Sequence, residues 1–246
     1  IILSDPSHQN TLSEKMIDEL QSAFDHFNSG PSRVIILSST GKVFSAGHDL
    51  KELKAARSHP DKGKEYFQSI LKKCSRLMQT IVNHSKPVIA QVDGVATAAG
   101  CQLALSCDLV YASSNSRFAT PGVNIGLFCS TPMVALSRNT TSKHSMEMLL
   151  TGELISADDA EKKGLINKSV NEEELENLIL EKATKISSKS GTTLKIGKKA
   201  FYQQIEMPLD EAYEYASKVM LENMLDQDAK EGMEAFLEKR SPNWKE

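Results

Sequence analysis

Residues 87–112 read PVIAQVDGVATAAGCQLALSCDLVYA, and the order of elements in this stretch decides the fold. Pro87–Val92 is a short, continuous, β-branched run, as expected of a strand buried on both faces. Asp93-Gly94 then turns the chain into a small-residue helix over Ala98–Ser106, and the apolar run Leu109–Ala112 follows. Working outward, Arg33–Ser39 is another doubly buried strand closed by a turn at Gly41. Between it and Pro87, residues Phe67, Ile70, Leu71, Cys74, Leu77, Met78 and Ile81 fall at helical spacing over 66–82. Strand, helix and strand make a βαβ unit, whose crossover is right-handed in nearly all proteins. Ser13 is the expected N-cap of a helix running to Phe27. Beyond Pro121 the chain turns mostly helical, over 133–138, 142–150, 156–162, 172–187, 194–204, 209–225 and 226–239. The class is α/β, a β-containing core followed by helices, with no linker-like stretch between them.

The composition is that of an ordinary globular protein: 246 residues, 40% hydrophobic, 25% charged, 29 Lys+Arg against 32 Asp+Glu, and a net charge of -3. Disorder and small disulfide scaffolds are excluded, and interspersed charge of both signs gives no footprint for nucleic acid. Cys74, Cys101, Cys107 and Cys129 form no CxxC pair and lack the histidine spacing of zinc sites, so reduced thiols and no metal are expected. No apolar run reaches the roughly 18 residues of a membrane span. The sequence starts at Ile1 inside an apolar run, so residues upstream, and any targeting segment among them, are expected to be missing from it.

Two strand-end turns carry the chemical interest: Phe44-Ser-Ala-Gly-His-Asp-Leu50 and Asp93-Gly-Val-Ala-Thr-Ala-Ala-Gly-Cys101. In parallel sheets ligands bind beyond the carboxyl ends of strands, where small side chains let them approach backbone N–H groups. Two N–H donors converging on one point make an oxyanion hole. Glycines at 47, 94 and 100 serve tight turns and close packing equally well, and spacing does not decide between the two readings.

FSAGHDLKEL at 44–53, the stretch at 87–112, FATP at 118–121 with IGLF at 125–128, LLTGELISADDAEKKGLIN at 149–167 and KEGMEAFLEKR at 230–240 together resemble the enoyl-CoA hydratase/isomerase, or crotonase, superfamily. The resemblance spans nearly the whole chain. It implies the ClpP/crotonase-like fold, a spiral of ββα turns over 1–187 forming two roughly perpendicular sheets, then a C-terminal helical trimerisation region over 188–246. It further implies trimers or pairs of trimers, a coenzyme A thioester as ligand or substrate with no other cofactor, and mitochondrial fatty-acid metabolism. By position, the oxyanion-hole N–H groups map to His48 and Ala99. The coenzyme A nucleotide maps to Ser45, Ala46, His48, Asp49, Leu50 and Lys51, joined by Phe236 and Lys239 of a neighbouring subunit.

The departures from the family pattern bear on activity. Family hydratases carry one glutamate immediately after the GC of the second loop and another after the Pro of the next strand; here Gln102 and Gly122 hold those positions. A positioned acid or base contributes roughly 10²–10⁴-fold, which neither residue supplies by proton transfer. Ser130 stands where some dehalogenases and isomerases place an aspartate, and Ser7 and His8 replace a basic residue expected near the phosphates. Other polar groups have plainer readings: His48 structural or solvent-facing, Asp49 a helix cap, Cys129 a buried thiol, Asn124 and Ser130 pocket lining, Glu172–Glu174 a helix start, and Met146, Met148 and Leu149 core. Three functions follow in order: an acyl-CoA-binding protein without hydratase chemistry; an enzyme acting on another acyl-CoA; and a structural or regulatory oligomer subunit whose pocket is filled by Phe128 or Met133.

Overall fold

A computed structural model describes residues 1–245; residue 246, the end of the expected C-terminal region, lies outside the described residues. The chain opens with β1 (Ile2–Leu3) and α1 (Glu14–Phe27), whose first turn is capped by Ser13 accepting from the Met16 N–H. Then come β2 (Ile35–Ser39), β3 (Val43–Ser45), α2 (Leu50–Ala56) and α3 (Lys64–Val82). The second turn of the spiral is β4 (Val88–Val92), β5 (Val95–Thr97) and α4 (Ala99–Leu105). The third is β6 (Leu109–Ser113), β7 (Arg117–Ala119), a 3₁₀ turn at Pro121–Ile125, α5 (Pro132–Asn139) and α6 (Ser142–Thr151).

Each turn sends its first strand to one sheet and its second to another. The larger sheet runs β1-β2-β4-β6-β9, closed by β9 (Lys168–Val170), with every pair parallel. The smaller runs β3-β5-β7-β8; β8 (Ile155–Ser156) is antiparallel to β7, and α7 (Ala157–Lys162) follows it. This is the ββα spiral of the crotonase fold. Val88, Ile89, Ala90 and Val92 are fully buried, as their unbroken apolar pattern requires of a central parallel strand. Helices α1 and α3 pack on each other over one face of the larger sheet. On the other face α8 (Glu172–Ser187) sets Leu175 and Ile179 against Ile89 and Tyr111.

The chain ends in α9 (Gly191–Gln204), α10 (Leu209–Met224) and α11 (Gln227–Glu238). A largely buried ion pair docks this region on the sheet. The Lys198 ammonium lies 2.7 Å from Asp108 Oδ2 and donates to the carbonyls of Ile81 and Lys86, both at 3.1 Å. The same carboxylate accepts from the Val88 N–H and the Tyr202 hydroxyl, so one aspartate joins the start of β4 to α9. Burial lowers the Lys198 pKa and Asp108 partly restores it.

Two expectations change. Met148 and Leu149 are core, whereas Met146 is exposed, because it faces outward from α6. Phe128 and Met133 are 43% and 38% exposed and therefore fill no interior pocket in this chain. All four cysteines are free and buried.

Removing one partner of a buried pair strands the other charge, which costs about 3–5 kcal/mol. Lys198→Met is therefore expected to lower urea stability by about that amount, and a denaturation midpoint unchanged from wild type would contradict the anchoring role.

Candidate functional site at the two strand-end loops

The two candidate loops follow β3 and β5, neighbours in the smaller sheet. Their contact is made backbone to backbone. A Cβ on Gly100 would collide with the Ser45 carbonyl, and one on Gly47 would lie 3.0 Å from both the Ala99 nitrogen and the Thr97 oxygen. Only glycine lets α4 approach β3 this closely. Across the gap Thr97 Oγ1 donates to the Ala46 carbonyl at 3.2 Å. Ala98 adopts φ +50°, ψ −121°, a conformation an L-residue holds only under constraint; its N–H donates to the Ala119 carbonyl at 2.9 Å. This twist starts α4 at Ala99, whose N–H lies ahead of the helix's own hydrogen-bond ladder.

The first loop is held from behind by Asn10. Its buried side chain donates to the carbonyls of Thr40 (2.9 Å) and Val43 (2.7 Å) and accepts from the Asp5 N–H. The Ser45 hydroxyl donates to the Asn10 carbonyl at 2.8 Å and accepts from the Gly47 N–H, so that hydroxyl is committed to the scaffold. Asp49 caps α2 as expected, accepting from the N–H groups of Lys51 (2.7 Å) and Glu52 (3.4 Å). Leu50 and Lys51 are exposed beside it. Neither Asn10 nor Thr97 carries a sequence signal for its part: each acts through a contact with a distant strand.

His48 is largely enclosed. Its Nδ1 lies 3.3 Å from the Leu12 carbonyl, which can only accept, so the proton sits on Nδ1. Nε2 is then a bare nitrogen, buried and without a partner among the described residues. Burial depresses the imidazole pKa, with the Leu12 carbonyl and Glu52 opposing it. The ring is neutral at pH 7, and its place in the loop leaves the backbone as the group presented.

Gln102, on α4, is 5% exposed, and its Oε1 has no partner among the described residues. Thr120 Oγ1 is likewise buried and unpaired, a polar group that no sequence motif flagged. At Gly122 there is no space for a side chain: a Cβ would fall 2.6 Å from the Leu127 oxygen and 2.9 Å from Cys129 Sγ. That thiol accepts from the Gly122 N–H at 3.3 Å. Burial raises the Cys129 pKa despite this donor, and Cys101 is pushed up to about 12, so both are thiols at neutral pH. Phe236 and Lys239 lie apart from the loops: α11 packs on α9 and α10, Lys239 caps its end, and Phe236 is 83% exposed.

The sequence signature of the family described as "Enoyl-CoA hydratase/isomerase" matches residues 1–246, and the chain belongs to that family. Among its relatives is the mouse "Enoyl-CoA hydratase domain-containing protein 3, mitochondrial", 49% identical over 99% of this chain and 80% of the relative. The crystal structure of the human protein of that name superimposes with a TM-score of 0.94 at 48% identity, covering 99% of this chain and 94% of the other. An enoyl-CoA hydratase structure from Mycobacterium smegmatis gives 0.92 at 46% identity over 97% and 91%.

Two outcomes follow from this geometry. Gly122→Ala is expected to destabilise the chain by roughly 1–3 kcal/mol through overpacking against a backbone oxygen, read from urea unfolding. Because the folded-state pKa of His48 is depressed, the unfolded chain binds more protons as pH falls below about 6.5, and stability drops there. His48→Gln should flatten that slope between pH 7 and 5; an identical slope in the variant would assign the titration elsewhere.

Proposed function

We propose that this chain is a mitochondrial acyl-CoA-binding protein of the crotonase fold that keeps the backbone oxyanion hole and lacks classical enoyl-CoA hydratase chemistry. The observation that carries the reading is the pair Gln102 and Gly122. A hydratase must take a proton from water and deliver one to the α-carbon. Gln102 has no titratable proton near neutrality, and the backbone at Gly122 leaves no room for a carboxylate. The names of the relatives support the family of ligand and the mitochondrial location.

The thioester carbonyl would rest between the N–H groups of His48 and Ala99, which follow Gly47 and the twisted Ala98 in loops already in contact. Asp49, Leu50 and Lys51, with the backbone of Ser45 and Ala46, form the shelf for the nucleotide. Phe236 and Lys239, exposed at the end of α11, are placed to reach a neighbouring subunit's ligand. Leu209, Leu225 and Leu237 are each at least three-quarters exposed on α10, α11 and the turn between them, an apolar surface suited to self-assembly into a trimer or hexamer.

A second reading rests on the unpaired Gln102 Oε1, which is poised to accept from a water or a substrate hydroxyl. An enzyme using the oxyanion hole to stabilise an enolate would need no glutamate to bind its substrate.

The test is incubation of the chain at stoichiometric concentration with 2-enoyl-CoA and saturated acyl-CoA in D2O, reading product masses. The expected result is saturable binding of both thioesters with no hydrated product. Hydration by the wild-type chain would overturn the proposal, and deuterium uptake without hydration would favour the enolate reading.

A further inference from the structure

Resting on the acyl-thioester reading above, we propose that an open apolar ledge over residues 125–134 receives the alkyl tail of the ligand, so that the site selects longer acyl thioesters over short ones. Between Arg117 and Arg138 the sequence holds no charged residue, in a chain that is 25% charged. Within that stretch Ile125, Leu127, Phe128 and Val134 are each more than two-fifths exposed, and Met133 is open beside them. Apolar side chains grouped in water without a single charge among them mark a surface that receives an apolar partner.

The ledge is continuous with the candidate site. The bond from the Ala98 N–H to the Ala119 carbonyl sets the end of β7 against the start of α4, and the 3₁₀ turn begins two residues later at Pro121. On the far side of that turn, Cys129 accepts from the Gly122 N–H and packs in the same core as Ala99 and Cys101, while α5 packs on α4. The backbone between these points is tied to itself. The Leu127 N–H donates to the Gly122 carbonyl at 2.9 Å, the Gly126 N–H to the Val123 carbonyl at 3.2 Å, and the Met133 N–H to the Cys129 carbonyl at 2.9 Å. The apolar side chains are therefore held outward by a satisfied main chain. A thioester carbonyl resting on the N–H groups of His48 and Ala99 leaves its first carbons beside Gly122 and Cys129, and only a longer tail extends to Leu127, Phe128 and the start of α5. An alkyl chain has no polar atom to satisfy, which suits a surface that offers neither charge nor carboxylate. Each methylene fully covered in this way raises affinity about fourfold.

The test is calorimetric titration of the whole chain with butyryl-CoA and, separately, decanoyl-CoA, repeated on the double variant Leu127→Ser/Phe128→Ser, with light scattering to give the mass of each protein in solution. Expected is at least tenfold tighter binding of decanoyl-CoA by the wild type, a preference that the variant loses while its affinity for butyryl-CoA and its mass stay the same. Should the double variant lose butyryl-CoA as well, the milder Val134→Thr decides, and it is expected to reduce the preference with butyryl-CoA binding intact. Equal affinity of the wild type for both thioesters, or an undiminished preference in the variants, overturns the ledge and leaves the acyl-thioester reading standing. A smaller mass in the double variant with the preference intact overturns it in favour of a second copy of the chain on this surface. No binding of either thioester to the wild type would sink the acyl-thioester reading itself, and the ledge with it.

Discussion

Everything at the candidate site depends on how closely the start of α4 lies against the end of β3. Gly100 meets the Ser45 carbonyl where any side chain would intrude, and Gly47 meets the Ala99 nitrogen. Two loops brought together largely through backbone, with Thr97 Oγ1 donating across the gap to the Ala46 carbonyl, present N–H groups whose positions do not depend on rotamers. Ala98 bears the conformational strain of that arrangement, and its bond to Ala119 ties the strain to the neighbouring strand β7. Asn10, anchored across three segments, keeps the first loop from opening.

The scaffold was legible in the sequence where a period had room to repeat. Helix α8 spans the expected residues, α1 starts one residue after its cap Ser13, β4 lies within the apolar run that announced it, and β6 runs one residue past its own, to Ser113. The strands of the smaller sheet have two or three residues each, too few for any alternation to register, and became visible through the family resemblance alone. Met146 fell on the wrong side of its helix because three apolar residues in four leave the facing direction undetermined. At the site, the motifs located the two strand-end loops, which the structure brings side by side. They did not reveal that Gly122 lacks space, since that depends on the Leu127 carbonyl folding back over it. The unpaired oxygens of Gln102 and Thr120 were equally invisible, being properties of surroundings rather than of residue type.

The C-terminal helices relate to the core through chemistry of another kind. Their attachment at Asp108 is ionic and largely buried, while much of their remaining apolar surface is open. Breaking the Lys198 contact leaves a charge with nowhere to go, so this junction fixes orientation more strictly than an apolar patch of equal size. Such a junction holds the exposed apolar face of these helices in one orientation relative to the sheet.

The parallel order of the larger sheet also governs how the chain reaches its native state. Parallel neighbours cannot be joined by tight turns, so each pairing waits for a distant segment: Ile35 meets Val88, Ile89 meets Leu109, and Tyr111 meets Lys168 only across the segment that holds α5 to α7. Loop closure on this scale precedes the contacts that reward it, and folding is correspondingly slow. Until β9 arrives, β6 is an open edge of apolar residues, the kind of surface that associates with other chains. A polypeptide built this way gains from being shielded during folding, and its yield in a cell depends on that interval as much as on its final stability.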